Sequence, residues 1–246
     1  MPPKRPLVLV LLLAAALAAA LATAYATAYA DQPGETPEPG PGTVVVLGAS
    51  VAAGYRATPG AEWPAQVSRR LRRAGSPARL VNHSIGATLL LTDNGEGRPS
   101  ALNRLRRDAL DVPGVRTVVL TDLINDIQWP PHVYDPRVLE RGLASVAFTV
   151  HARGVRLVVA TIPPYGGFVR HSPEGERCRR AVNDFIRTSR LFDGVLDFDA
   201  VLADPADPAR LRPAYDSGDH LHPGDRGHDA LAREVDPRVL TGVRTP

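Results

Sequence analysis

Apolar residues in this chain fall into short continuous runs, separated by longer stretches in which they recur every three or four positions. The short runs, at residues 43–47, 79–83, 116–121, 156–162 and 195–198, are rich in Val, Leu or Ile and predict strands covered on both faces. The stretches between them predict helices. Trp63, Val67 and Leu71 share one face of a helix that Gly75 would stop, leaving Arg69, Arg70, Arg72 and Arg73 largely to solvent. The clearest helix covers residues 136–153. Asp135 is its N-cap, Pro136 suits the first turn, Leu139, Leu143, Val146 and Val150 form the buried stripe, and Gly154 ends it. Ser172-Pro173 opens another, with Cys178, Val182, Phe185 and Ile186 facing inward, and a last helix follows Pro223 and includes Leu231 and Val235. Alternation of this kind predicts an α/β domain. The expected architecture is a three-layer α/β/α, flavodoxin-like fold on a five-stranded parallel sheet, running from Thr43 to Pro246.

The chain ahead of Thr43 reads differently. Residues 1–30 carry Lys4-Arg5, a long uncharged apolar run from Leu7, and Ala28-Tyr29-Ala30 before Asp31, the pattern of an export signal cleaved after Ala30. The uncharged run is also long enough to span a bilayer, so an uncleaved N-terminal anchor is the alternative, and the only membrane contact the sequence suggests. Either form places the folded domain on the extracytoplasmic side, secreted or anchored. Residues 31–42 hold four Pro and three Gly in twelve positions and read as a linker.

Composition narrows the picture in two places. Lys4 and Arg5 lie in the export segment, and without them 27 arginines face 26 acidic side chains. That near-balance, with the arginines dispersed along the chain, argues against a nucleic-acid partner. The single Cys178 excludes an internal disulfide and any cysteine-based zinc frame, and its place on an apolar stripe favours a core residue over a reactive thiol.

Candidate chemistry gathers where strands end. The run Val44–Leu47 breaks into Gly48-Ala49-Ser50, which puts Ser50 at the carboxyl end of the first strand, where open parallel sheets collect their ligands. Gly86 follows the second strand, Asn125 and Asp126 follow the third, and Asp219 and His222 precede the last helix. A strand order of 2-1-3-4-5 would bring the ends of the first three strands together, so that Ser50, Gly86 and Asn125 line one crevice. Taken singly, each also reads as turn, loop or capping chemistry. His220, His222, Asp225 and His228 are dense enough to raise a metal site, but their spacing lacks a recognised zinc frame. His83 and His132 read as surface or packing residues. Among the aromatic residues weighed for substrate contact, Trp63 lies on a core stripe, Tyr165 is open, and Trp129, in the loop after Asn125, is the better candidate for lining a cleft.

In this order and spacing the blocks resemble the SGNH/GDSL hydrolase family, over about Thr43 to Leu240. Gly48-Ala49-Ser50-Val51 matches the Gly-Asp-Ser-Leu block, Gly86 the second-block glycine, Leu123-Ile124-Asn125-Asp126 the Gly-x-Asn-Asp block, and Asp219-His220-Leu221-His222 the Asp-x-x-His block. The stretches 108–115, 183–187 and 215–219 are similar to those of one extracellular bacterial subgroup of lipase-like esterases. The resemblance implies a serine esterase without cofactor or metal, acting as a monomer on a small-molecule, glycan or lipid ester. Ser50 would be the nucleophile, His222 the base and Asp219 its orienting acid, with Ser50, Gly86 and Asn125 forming the oxyanion hole. The absence of a long apolar insertion tilts the expectation towards small acyl groups on carbohydrate. Two positions depart from the family pattern. The block-one aspartate is Ala49, which puts the order of the serine loop in question, and the block-three glycine is Leu123, a bulky side chain beside the oxyanion loop. These motivate a second reading, a catalytically weak relative that binds acylated glycan or lipid. A third reading is acyl transfer by the same triad.

Overall fold

Successive residues of a strand point to opposite faces, and the central strand shows why its apolar run is unbroken. The computed structural model describes residues 42–242. The export segment 1–30 and residues 31–41 of the linker lie outside the described residues. In β1 (Thr43–Leu47), Val45 and Leu47 enter one buried cluster while Val44 and Val46 enter another, and none of the four is more than 2 % exposed. The remaining strands are β2 (Arg79–Asn82), β3 (Val115–Leu120), β4 (Arg156–Ala160) and β5 (Gly194–Leu196). All neighbours pair in parallel, in the order β2-β1-β3-β4-β5. The sheet, its order and the α/β class are those the periodicity and the strand ends predict.

Helices cover both faces. On the first lie α2 (Ala101–Leu105, continued by one π turn, Arg106–Leu110), α4 (Pro136–His151) and α5 (Pro173–Thr188), contributing Leu105, Leu139, Leu143, Val182 and Ile186 to the cluster around Val45 and Leu47. Against the second pack α1 (Trp63–Arg73), α6 (Phe198–Leu202), α7 (Asp225–Glu234) and α8 (Pro237–Thr241), with Trp63, Val67, Phe198, Leu231 and Leu240 around Val44 and Val46. A short turn of helix, α3 (Asn125–Gln128), follows β3. The expected caps are in place: the Asp135 side chain accepts from the Arg137 amide and that of Ser172 from the Gly175 amide. Cys178 is buried, and burial pushes its thiol up to about 11. Three local expectations differ. Phe198 starts a helix instead of ending a strand, Val235 caps α7 from outside it, and Arg70 turns back to donate to the carbonyls of Ala232 and Val235 at the end of α7.

One buried group makes the domain acid-sensitive. The His228 ring, in α7, lies in the interior and its Nδ1 accepts from the Trp63 amide at 3.3 Å. Burial lowers its pKa to about 4 from an ordinary 6.5. Since the folded protein then binds fewer protons than the unfolded chain, stability from this residue is present above pH 6.5 and is lost as pH falls towards 4. The full effect is about 3 kcal/mol at 1.36 kcal/mol per unit. Urea unfolding midpoints measured between pH 7 and 4 should therefore fall more steeply for wild type than for His228→Asn, which keeps an acceptor for Trp63; equal slopes would contradict the assignment.

Candidate active site

The nucleophile turn begins where β1 and β3 leave the sheet side by side, with Leu47 and Leu120 in register. A Cβ at Gly48 would stand 2.6 Å from the Thr121 side chain, so only glycine lets the two strand ends pass this closely. Immediately after Thr121, Asp122 takes the left-handed conformation, φ 64°, which an aspartate tolerates better than most residues. Its Oδ2 accepts the amides of Ala49 and Ala52, each at 2.8 Å, and the Thr121 hydroxyl donates to Oδ1 at 3.1 Å. Burial pushes the Asp122 carboxyl above its ordinary value, and the amides of Ala52 and Ala49 oppose that rise. From below, the buried Arg104 guanidinium of α2 donates to the carbonyls of Gly48 and His83, tying the ends of β1 and β2 together. Ser50 is thus held half-buried on a turn braced from both neighbouring strands. The loop order that Ala49 put in question is supplied by Asp122.

His222 arrives from the far end of the chain, on a loop closed by an isolated bridge between Asp216 and Pro223. Its Nε2 lies 2.9 Å from Ser50 Oγ and its Nδ1 2.7 Å from Asp219 Oδ2. With a carboxylate at Nδ1, that nitrogen carries the proton and Nε2 is left to accept from the serine hydroxyl. The other Asp219 oxygen accepts the amides of Leu221 and His222, at 3.0 and 2.8 Å. Burial raises the Asp219 carboxyl, but the His222 amide and ring together with the Leu221 amide outweigh it, so it stays below the ordinary carboxylate value. His220 takes no part in this contact. Its ring is paired to Asp216, and the neighbouring His228 is buried against Trp63. The three histidines therefore face three different partners.

Across the turn, the backbone amides of Ser50 and Gly86 make no intramolecular hydrogen bond among the described residues, and both residues line the cleft. Asn125 is 2 % exposed; its amide nitrogen donates to the Thr88 carbonyl at 2.8 Å, and its oxygen accepts from the Gln128 side chain at 2.6 Å. One N–H of that amide is used and the other remains to serve the cleft. Asp126 accepts the amides of Leu90 and Leu91, which pins the segment following Gly86 to α3. The Leu123 side chain is buried in the core cluster with Leu47 and Leu120 and does not line the cleft. It leaves Asn125 in place, contrary to the encroachment its bulk suggested.

These residues open onto a cleft of about 660 Å³, lined by Ser50, Gly86, Asn125, Asp219 and His222 together with Trp129, Phe168 and Tyr55. Trp129 lines it as expected, whereas Tyr165 and Trp63 are fully buried. The arrangement combines a hydroxyl, an imidazole aimed at it, a carboxylate behind the imidazole and convergent N–H groups, which together suit attack on an acyl carbon. Three contributors escaped the sequence reading: Asp122, Gln128, and Tyr55, whose ring meets the His222 ring edge-on at 4.6 Å. Only Asp122 left a trace, an acidic residue directly beside a recognised block.

Residues 46–230 match the model of the GDSL-like Lipase/Acylhydrolase family. No curated protein matches the chain. Among solved structures, a GDSL-like lipase from Bacteroides thetaiotaomicron is 16% identical, with a TM-score of 0.64 over 90% of this chain and 98% of that one. An acetyl xylan esterase from Geobacillus stearothermophilus is 19% identical, with a TM-score of 0.57 over 83% of this chain and 97% of that one. A psychrotrophic esterase from a Pseudoalteromonas species is 16% identical, with a TM-score of 0.54 over 78% of this chain and 93% of that one. At these identities the structures share the fold.

Proposed function

The chain belongs to the GDSL-like lipase/acylhydrolase family and is a carboxylic ester hydrolase, and on that premise we propose that it acts outside the cytoplasm through Ser50, His222 and Asp219. The observation that carries this reading is the continuous relay from Ser50 Oγ to His222 Nε2, and from His222 Nδ1 to Asp219, at 2.9 and 2.7 Å.

As Ser50 Oγ bonds to the ester carbonyl carbon, its proton passes to His222 Nε2. The resulting oxyanion is received by the amides of Ser50 and Gly86 and the free N–H of Asn125. The imidazolium then gives its proton to the alcohol oxygen as the C–O bond breaks, leaving the acyl group on Ser50. Water, deprotonated by His222, attacks that acyl carbon, and Ser50 recovers its proton as the acid leaves. Asp219 stays ionised throughout, holding the imidazole tautomer and stabilising its charged form.

Small acyl groups on carbohydrate are the preferred substrates. The cleft's aromatic walls suit a sugar ring, and a protein of this fold is an acetyl xylan esterase. Export through residues 1–30 would place the enzyme where such polymers lie. A fluorophosphonate probe should form a covalent adduct that peptide mass spectrometry maps to Ser50. A folded protein that gains no adduct there would favour the acyl-binding reading.

A further inference from the structure

The cleft that holds Ser50 is cationic apart from its catalytic carboxylate. Arg56, Arg98 and Arg170 line it, from the loops after β1, β2 and β4, against the single acidic side chain of Asp219. Asp219 is already committed to His222, and Arg56 lies 3.6 Å from Oδ2, the same carboxylate oxygen that takes the His222 ring. Arg98 and Arg170 have no carboxylate within ion-pairing distance among the described residues; Glu96, on the Arg98 loop, does not line the cleft. Arg170 instead lays its guanidinium over the Trp129 ring at 4.0 Å, a stack that holds a charged group at the cleft wall with its N–H edges unspent. Two guanidinium groups without counter-charges, in a recess walled by Trp129 and Phe168, focus a positive potential on whatever enters.

We propose that the ester this enzyme selects carries a negative charge on its non-reacting part, a carboxylate or phosphate held by Arg98 and Arg170. The proposal rests on the esterase reading of Ser50 for its kinetic test, but anion binding can be measured without turnover. Arginine forks match these oxyanions bidentately, and their planar geometry favours them over a neutral hydroxyl. The charge can reside on the alcohol side, as in an O-acetylated acidic sugar, or on the acyl side, as in a dicarboxylic half-ester.

Two matched substrate sets distinguish the sources, each rate being normalised to hydroxide-catalysed hydrolysis of the same ester. On the alcohol side, 3-acetoxybenzoate should exceed its neutral methyl ester in kcat/KM by about tenfold at low ionic strength, and 3-acetoxy-N,N,N-trimethylanilinium should fall below it. On the acyl side, 4-nitrophenyl hemisuccinate is compared with 4-nitrophenyl butyrate. A preference in either arm supports the inference and tells where the anion sits. The preference should shrink towards unity as salt screens the cleft, and Arg98→Gln combined with Arg170→Gln should abolish it. Arg69→Gln, on the outer face of α1, should retain it. Anion-to-neutral ratios at or below unity in both arms, or ratios that the double variant leaves intact, overturn the inference. Should neither the neutral nor the anionic esters be turned over, the esterase reading fails by itself. Calorimetric binding of 3-hydroxybenzoate against 3-hydroxybenzyl alcohol by Ser50→Ala protein then decides the anion site, and equal affinity overturns it.

Discussion

Ser50→Ala should lower kcat for p-nitrophenyl acetate by about 10⁴-fold or more, with His222→Ala falling to a similar level and the double variant no lower than either. The reason is the single path open to the serine proton. Oγ has His222 Nε2 at 2.9 Å, and the carboxylate hydrogen-bonded to the other nitrogen of that ring is Asp219 at 2.7 Å. Removing either end of the path removes the nucleophile's activation as a whole, and what remains is the contribution of the oxyanion donors and substrate binding. His220 is the control. It lies two residues away, but its ring is paired to Asp216, and its backbone sits at φ 66°. His220→Asn, which tolerates that backbone, and His220→Ala should both keep most of the activity. If the His220 variants are dead and His222→Ala is active, the base has been misassigned.

Asn125→Ala should lower kcat by about 10²–10³-fold with a much smaller change in KM, because the lost donor serves the oxyanion more than the ground-state carbonyl. The structure makes this residue hard to replace. Its amide oxygen is taken by Gln128 and one of its N–H groups by Thr88, so the rotamer is held and the remaining N–H has a fixed direction. A donor that must reorganise during the reaction stabilises the transition state less than one already aimed. Asn125→Asp should be at least as damaging, since it replaces the donor with a carboxylate beside the developing negative charge. Steady-state kinetics read against thermal unfolding separates the catalytic loss from a folding defect. An Asn125→Ala enzyme that is stable and within a few-fold of wild type would remove this residue from the oxyanion hole.

Much of the frame was legible because it is written in local periodicity. The strand Thr43–Leu47, the helix starts at Pro136 and Pro173 with their Asp135 and Ser172 caps, and the positions of Ser50, Gly86 and Asn125 after strands all follow from neighbours a few residues apart, whereas His222, on the loop before α7, was picked out by its resemblance to the Asp-x-x-His block. What was not legible depends on residues distant in sequence or on a single backbone angle. The segment Ala101–Leu110 is helical, but its α-helix gives way to a π turn after five residues, a change of winding that no sequence pattern announces. Gln128 is close to Asn125 in sequence, but its contact depends on the rotamer that Thr88, far away in the chain, imposes on Asn125. Tyr165 and Trp129 are both large aromatic residues on loops, yet tertiary packing buries the first and leaves the second on the cleft wall. Leu123 was misread as a threat because its side-chain direction could not be known before the turn after β3 was seen.

That same turn has a wider consequence. Ala49 stands where the family's first block places a carboxylate, and the carboxylate that holds the Ala49 and Ala52 amides comes from Asp122, seventy-three residues from Ala49 and on the adjacent strand end. In this chain the order of the serine loop is therefore set by one carboxylate oxygen between two amides, and it comes from the neighbouring strand end instead of from the block itself. A pattern written on consecutive letters scores this chain as defective at its own nucleophile; one written on the meeting of two strand ends does not.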